Sequence, residues 1–253
     1  MIRVGVVGAA GRMGSTVCDA VAYAGGLELV AAVDVMSAGG TTHGVAVSSD
    51  LRALADAGCE VVVDFTVADA ARTTLPWLAL HGMHAVVGTT GFTDADMASF
   101  HSAFTGSNCL VAANFAIGAV LMMRFAEQAA PWFDTAEIIE FHHNGKADAP
   151  SGTALETARR MAAASSEWSP DPTRHEVVPG ARGGEGPGGI RIHGVRMHGM
   201  IASQEVVLGT AGQTLVVRHD SNDRVSFMPG VVLACRRVAE LPERITLGID
   251  SLL

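Results

Sequence analysis

The chain opens with a repeated pattern in which short apolar runs alternate with segments of helical spacing. The apolar runs are rich in β-branched residues and lie at Ile2–Val7, Leu27–Val33, residues 60–65, His84–Val87 and residues 109–112. Apolar residues at helical spacing follow, for example over residues 69–81 and 94–104. Continuous apolar strands that alternate with helices are typical of a parallel sheet covered on both faces. The first half therefore predicts an α/β, Rossmann-like parallel sheet domain.

The pattern changes after residue 115. A long helix is predicted at 117–130 and another at 154–164, and between them residues 137–142 alternate with the period of a strand. Three further strand-like runs lie at residues 190–198, 204–208 and 214–219. This order predicts a smaller α+β domain with a mixed sheet, whose uncovered edge or face favours oligomerisation. A glycine-rich stretch at 179–189 is expected to be a mobile surface loop.

The end of the chain predicts a return to the first domain. A helix is expected at residues 229–240 and a strand at 245–249, and that strand can rejoin the first sheet. We therefore predict a dinucleotide-binding domain of residues 1–114 and 222–253. Residues 115–221 would form a substrate-binding and oligomerisation domain.

Composition and charge narrow the classes of function. The chain has 253 residues, 49% of them hydrophobic, and a formal net charge of −9, which argues against non-specific binding to nucleic acid or to an acidic membrane. The four cysteines are far apart and predict free thiols, and no histidine or carboxylate spacing predicts a metal site. The first residues already look like a core strand, and no apolar run is long enough for a membrane span. A cytoplasmic location is the expectation.

A glycine loop follows the first strand. Gly8, Gly11 and Gly14 stand between strand and helix, where Gly8 would make a tight turn, Gly11 would admit a pyrophosphate and Gly14 would allow close packing. The spacing departs from the commonest dinucleotide pattern, and a purely structural turn is the alternative. Asp34 ends the second strand, where a carboxylate binds the ribose hydroxyls and repels a 2′-phosphate. The sequence thus favours NADH mildly over NADPH, although Arg12 could reach a phosphate.

Three more strand ends carry small or hydroxylated residues. These are Phe65 and Thr66, then Gly88, Thr89 and Thr90, then Ala113, Asn114 and Phe115. Each could be an ordinary turn or helix cap. Because ligands bind beyond the carboxyl ends of parallel strands, their recurrence at one edge predicts a cofactor cleft.

The stretch from Glu137 to Thr153 concentrates the candidate chemistry. Lys146 is the only lysine in the chain, and it lies close to His142 and His143. A titratable imidazole beside a cation suits proton donation to an anionic substrate during hydride transfer, and Glu140 could keep His142 protonated by raising its pKa. Thr153 begins a match to a capping box, while the amides that follow Ser151 and Gly152 could instead bind a carboxylate.

These motifs together resemble the dihydrodipicolinate reductase family over essentially the whole chain. The similar segments are GAAGRMG, DFT, VVGTTGF, AANFAIGAV and the HH-x-x-K-x-DAPSGTA stretch. The resemblance implies a typically homotetrameric enzyme of diaminopimelate and lysine biosynthesis that uses NADH or NADPH to reduce a cyclic imine dicarboxylate. It implies that His142 is the general acid/base and that Lys146 is a second proton donor or charge partner.

The resemblance also implies the binding residues. The substrate carboxylates would be bound by His143, Lys146, Ser151, Gly152 and Thr153. The cofactor would be lined by Gly8, Ala9, Ala10, Gly11, Arg12, Met13, Asp34, Phe65, Thr66, Gly88, Thr89, Thr90, Ala112, Ala113, Asn114 and Phe115. Asn144 and Gly145 replace basic residues of some relatives, which leaves Lys146 more alone. Two alternatives stay open: another Rossmann dehydrogenase of an amino or imino acid, and a non-catalytic NAD(P)H-sensing module.

Overall fold

The structure is a computed structural model that describes residues 1–253. The strands are β1 (Ile2–Val7), β2 (Leu27–Val33), β3 (Thr41–Thr42), β4 (Val45–Ser48), β5 (Val61–Asp64), β6 (His84–Val87), β7 (Cys109–Val111), β8 (Thr135–His142), β9 (Gly184–Glu185), β10 (Arg191–Arg196), β11 (Ala202–Thr210), β12 (Gln213–Ser221) and β13 (Ile245–Leu247). The helices are α1 (Arg12–Tyr23), α2 (Arg52–Asp56), α3 (Ala68–Leu80), α4 (Asp94–Ala103), α5 (Ile117–Ala129), α6 (Gly152–Ala164) and α7 (Met228–Arg237). Two compact units result: Met1–Ala116 with Phe227–Leu253, and Ile117–Ser226.

The first unit is built on an eight-stranded sheet in the order β13-β7-β6-β5-β1-β2-β4-β3. Every neighbouring pair is parallel except β3 with β4. Strand β13 pairs with β7, which confirms that the last strand rejoins the first sheet. Because parallel strands end at one edge, the loops that follow β1, β2, β5, β6 and β7 lie along that edge.

The core of the first unit packs helices against this sheet. Val62 of β5 and Ala85 of β6 are fully buried with Leu75 and Leu78 of α3 and with Phe100 of α4. Burial of each large apolar side chain stabilises the fold by about 1.5–3 kcal/mol relative to exposure. Burial of the strands in this core explains why they are continuous apolar runs in the sequence.

The second unit is a five-stranded mixed sheet in the order β12-β11-β8-β10-β9. Strand β8 is central, pairing in parallel with β10 and antiparallel with β11. Ile138 and Glu140 of β8 and Val206 and Leu208 of β11 are fully buried on one face, and α5 and α6 contact this sheet. The α/β class with a second, mixed-sheet domain is confirmed.

Some local predictions were wrong. Elements β3, β4 and α2 were missed because they are short and lack a sustained apolar period. The loop predicted at 179–189 contains the two-residue strand β9, which the sequence did not predict and which pairs with β10, while the mobility of the loop stays a prediction. The helix predicted at 229–240 ends at Arg237, and a 3₁₀ turn at Val238–Glu240 follows.

Candidate active site

The glycine loop after β1 depends on the absence of side chains. Gly8 has a φ of +78°, which L side chains rarely adopt, and a Cβ there would lie 2.9 Å from the Phe65 carbonyl oxygen. A Cβ on Gly14 would lie 1.9 Å from the carbonyl oxygen of Gly8. The tight turn and the close helix packing predicted for these two glycines are both present.

The start of α1 suits an anion. Gly11 precedes the helix, no side chain caps its first turn, and that turn contains no acidic residue. Arg12 is the first helical residue, followed by Met13. Amide groups at a helix N-terminus carry a partial positive charge of about half an elementary charge, so this end fits a pyrophosphate.

Asp34 is held against the glycine loop. Its Oδ2 accepts a hydrogen bond from the Ala10 amide at 3.0 Å, and its Oδ1 accepts one from the Met36 amide at 2.9 Å. The carboxylate is thereby fixed at the carboxyl end of β2, where a ribose would need it.

A cavity of about 890 Å³ lies at this edge of the first unit. It is lined by five of the predicted cofactor residues: Gly8, Gly11, Asp34, Phe65 and Thr66. Asp50, Arg52 and Trp77 also line it, and the sequence did not single them out. No motif marks these three, because they reach the cavity from α2, α3 and the loop before α2. The volume and the fixed carboxylate fit the adenosine half of a dinucleotide.

Beneath the neighbouring strand ends lies the buried carboxyl of Asp64. Its Oδ1 accepts hydrogen bonds from the Thr66 amide, the Thr66 hydroxyl and the Thr89 hydroxyl at 2.7–2.9 Å. Burial raises the pKa of Asp64, against these hydrogen bonds. Asp64 therefore ties together two loops of the predicted cleft.

Close packing shapes the rest of this edge. A Cβ on Gly88 would lie 2.1 Å from the Phe65 ring, whose centroid is 5.8 Å from that of Phe115. Ala9, Thr89, Ala112 and Phe115 are buried, whereas Ala10, Arg12, Thr90 and Ala113 are exposed and Asn114 is half-buried. The Asn114 side chain accepts a hydrogen bond from the Ala116 amide at 2.9 Å. Apart from Phe65, which lines the cavity, these residues lie after β1, β6 and β7 and outside the cavity lining, and their contact with a cofactor stays a prediction.

In the second unit, His142 ends β8 and its Nδ1 contacts Oε2 of the fully buried Glu140. Burial lowers the pKa of His142, although the Glu140 carboxylate acts in the opposite direction. Glu140 thus raises the pKa as expected, but the expectation that this keeps His142 protonated was wrong, because the cost of burying an imidazolium outweighs the attraction and the net pKa is lowered. The contact between the two side chains is nevertheless present.

Lys146 has a partner. Its Nζ lies 2.8 Å from both carboxylate oxygens of Asp148 and lowers the pKa of that carboxyl. The prediction that Lys146 has fewer basic neighbours than in some relatives is not tested by this acidic partner. The Asp148 side chain is two-thirds exposed, so its contact with the ammonium is weakened by solvent. An anionic ligand could therefore compete with Asp148 for Lys146. His143 lies on the exposed turn between His142 and Lys146.

The N-terminus of α6 is the third feature of the candidate site in the second unit, beside His142 and Lys146. The Ser151 hydroxyl accepts a hydrogen bond from the Ala154 amide at 3.2 Å, so Ser151 caps the helix and the capping role predicted for Thr153 was wrong. The Ser151 amide donates to Glu140 at 3.2 Å. Gly152 is the first helical residue, and open space surrounds the position of its missing Cβ. The helix end can therefore accept a carboxylate at Gly152 and Thr153.

Other groups contribute nothing comparable. All four cysteines are buried free thiols, and burial raises the pKa of both Cys18 and Cys59 to about 11. No cluster of three or more histidine, cysteine or acidic side chains is placed to hold a metal ion. None of the helices has the length and apolar character that crossing a membrane requires.

Comparison with known proteins agrees with this geometry. Residues 2–115 match the family model described as dihydrodipicolinate reductase, N-terminus, and residues 118–253 match the corresponding C-terminus model. The chain is 53% identical to the 4-hydroxy-tetrahydrodipicolinate reductase of Thermobifida fusca, covering 100% of this chain and 99% of that protein. It is 48% identical to the same enzyme of Mycobacterium ulcerans with the same coverage. A dipicolinate-bound dihydrodipicolinate reductase from Paenisporosarcina sp. TG-14 superposes with a TM-score of 0.90 at 38% identity, over 100% of both chains.

The fold and these family matches together define an NAD(P)H-dependent oxidoreductase. The chain belongs to the dihydrodipicolinate reductase family. Its activity is that of a 4-hydroxy-tetrahydrodipicolinate reductase of diaminopimelate and lysine biosynthesis.

Proposed function

We propose that His142 supplies the proton and Lys146 the positive charge for reduction of a cyclic imine dicarboxylate to tetrahydrodipicolinate. The observation that carries this proposal is the grouping of the lone lysine, the Glu140-bound imidazole and the N-terminus of α6 within residues 140–153. The contact to Glu140 occupies Nδ1 of His142, so Nε2 is the nitrogen that can face a substrate. Lys146 can serve as a second proton donor.

The substrate carboxylates would be bound by His143, Lys146, Ser151, Gly152 and Thr153. Because the chain carries a formal net charge of −9, a dianion needs a local positive site, and the ammonium and the helix end provide it. The Ser151 hydroxyl oxygen accepts from the Ala154 amide, which leaves the hydroxyl hydrogen for the substrate. A dianion beside His142 would also raise the pKa of the imidazole and so promote its protonation when substrate binds.

The cofactor would be held by the first unit. The start of α1 would bind the pyrophosphate, Asp34 the ribose, and the loops after β5, β6 and β7 the nicotinamide half. When bound, the reduced nicotinamide supplies the hydride. The protein's own part is to orient the ring, to exclude water and to deliver the proton.

We further propose that NADH is mildly preferred. Asp34 and Asp50 both line the adenosine cavity, while Arg52 lies 3.8 Å from the Asp50 carboxylate, so the local charge disfavours an additional phosphate. Arg52 is nevertheless the cation available to a 2′-phosphate, which explains how NADPH could also be accepted.

Two substitutions test the roles of Asp34 and Arg52 separately. Asp34→Ala is expected to raise KM for NADH roughly 10-fold and to change KM for NADPH less, because the ribose acceptor is lost along with a repulsive charge. Arg52→Ala should raise KM for NADPH about 3- to 10-fold and leave NADH nearly unchanged. Steady-state kinetics with both cofactors measures the effects, and Asp56→Ala, an exposed carboxylate of α2 outside the cavity lining, is the control. Equal changes for both cofactors in Arg52→Ala would remove Arg52 from this role.

The decisive test of the reaction is a coupled assay. Purified protein should oxidise NADH only while dihydrodipicolinate synthase supplies fresh substrate. Tight NADH binding without turnover would favour a sensing module, and turnover of amino or imino acids alone would favour another dehydrogenase.

We also propose a cytoplasmic homotetramer assembled through the mixed sheet. On the face opposite α5 and α6, Ile139 of β8 and Val207 of β11 share one side with Val216 of β12, which is half exposed. A partly apolar sheet face is stabilised by a second copy. Analytical ultracentrifugation at micromolar concentration should show a tetramer; a monomer throughout would contradict the proposal.

A further inference from the structure

Glu140 is a buried carboxylate with a complete set of partners. It is fully buried, yet its Oε2 contacts Nδ1 of His142 and its Oε1 accepts from the Ser151 amide. An unpaired carboxylate in such a position would be strongly destabilising, so these donors are needed to keep it charged.

Arg196 supplies the remaining donors. From the last position of β10, its Nη1 donates to Oε2 of Glu140 at 2.9 Å and its Nη2 donates to Oε1 at 2.8 Å, in the two-pronged geometry that makes arginine–carboxylate pairs strong. The same Nη2 donates to the carbonyl of Asp148 at 2.7 Å. Arg196 therefore binds both Glu140 and the loop whose Asp148 side chain contacts Lys146.

The facing strand leaves room for this arrangement. Gly194 of β10 pairs in register with Glu140, and a Cβ on Gly194 would lie 3.2 Å from Oε1 of Glu140 and 3.7 Å from Nη1 of Arg196. A side chain there would crowd the carboxylate. The glycine is an independent indication that the Glu140–Arg196 pair is a built feature of the sheet.

We propose that Glu140 and Arg196 form a positioning pair. The pair sets the orientation of the His142 ring and fixes its position relative to the N-terminus of α6 and the loop that carries Lys146. Both act through His142, and neither is among the residues proposed to bind the substrate. Glu140 directs Nδ1 inward and leaves Nε2 for the substrate, and through the Ser151 amide it anchors the helix start. This inference rests on the proposed role of His142 as proton donor.

The two members of the pair act on His142 with opposite charge. The charged groups that face the imidazole are Glu140, which favours the protonated form, and Arg196 and Lys146, which disfavour it. Removing Glu140 should therefore make His142 harder to protonate, and removing Arg196 should make it easier. A merely structural contribution would not produce shifts of opposite sign.

The experiment is a pH profile of kcat/KM in the coupled assay. If protonated His142 is required, the rate falls as pH rises through its pKa. This fall of kcat/KM is the alkaline limb of the profile. Glu140→Gln should move the limb to lower pH and Arg196→Met should move it to higher pH, each by about one pH unit. We expect kcat to fall at least about 10-fold in both variants. Arg196→Lys keeps the charge without the two-pronged contact, so it should retain the wild-type limb with only partly restored kcat.

Matched controls lie on the same strands. Glu137→Gln on β8 and Arg191→Met on β10 remove charges that pair with Arg182 and Asp171 instead, and should leave the limb in place. Where turnover of a variant is too low, NMR titration of the His142 imidazole, assigned by its disappearance in His142→Ala, reports the same shifts. Unchanged or same-direction shifts would overturn the positioning role.

Failure of the proposed function would look different. If the limb persists in His142→Ala, it belongs to another group and the proton-donor role of His142 is wrong. If His142→Ala loses the limb while Glu140→Gln and Arg196→Met leave it in place, only the positioning pair is rejected.

Discussion

Replacing Lys146 with alanine is expected to lower kcat/KM for the imine dicarboxylate by roughly 10²–10⁴-fold while the affinity for NADH changes less than about twofold. The ammonium is the only lysine charge in the chain, and it lies on the loop between His142 and α6. Its removal would take away both the proposed charge partner of the substrate and the proposed second proton donor. His142→Ala should lower kcat by a similar factor, because the donor is lost while the carboxylate site remains.

The binding of dipicolinate distinguishes the loss of the Lys146 charge from the loss of the proposed proton donor His142. The wild-type protein and His142→Ala should be stabilised against thermal unfolding by dipicolinate, by RT ln(1 + [L]/Kd), whereas Lys146→Ala should not. Arg159→Ala is the matched control, since it removes an exposed cation of α6 that pairs with Glu156. Full activity in either alanine variant would mean that the residue has no part in the reaction.

A Gly14→Ala substitution is expected to weaken NADH binding by roughly 10- to 100-fold, the equivalent of the ~1–3 kcal/mol that overpacking typically costs. The added Cβ would lie 1.9 Å from the Gly8 carbonyl oxygen and 2.6 Å from its carbonyl carbon. These are backbone atoms of the loop that we propose binds the pyrophosphate, so the loop itself has to move.

Fluorescence titration with NADH and the melting temperature measure this effect. Gly25→Ala is the control, because an added Cβ there meets no atom within 4 Å and the backbone is not left-handed. Dipicolinate binding should survive in Gly14→Ala, since its proposed site lies in the second unit. Unchanged NADH affinity would show that Gly14 is tolerant and that the loop is not constrained by this contact.

The class of fold and the location of the candidate site followed from local sequence. Buried parallel strands are apolar throughout, and a glycine turn leads from the first strand into a helix, so both features are written in consecutive residues. The concentration of His142, His143 and Lys146 within five residues is likewise local, as is the helix start after Ser151. The family resemblance depended on these same motifs.

The connections between these motifs were decided only by the tertiary structure. Arg196 lies 56 residues after Glu140, and it reaches the carboxylate because β10 pairs in parallel with β8. Arg52 lines the cavity beside the glycine loop from a short helix that has no sequence signal of its own. No spacing rule encodes such pairings.

The direction in which the pKa of His142 shifts was decided in the same way. The sequence placed a carboxylate two positions away and predicted a raised pKa. The folded unit buries the imidazole and adds the positive charges of Lys146 and Arg196, so the pKa is lowered. A sequence determines which groups are neighbours along a strand, whereas desolvation depends on what the rest of the chain packs around them.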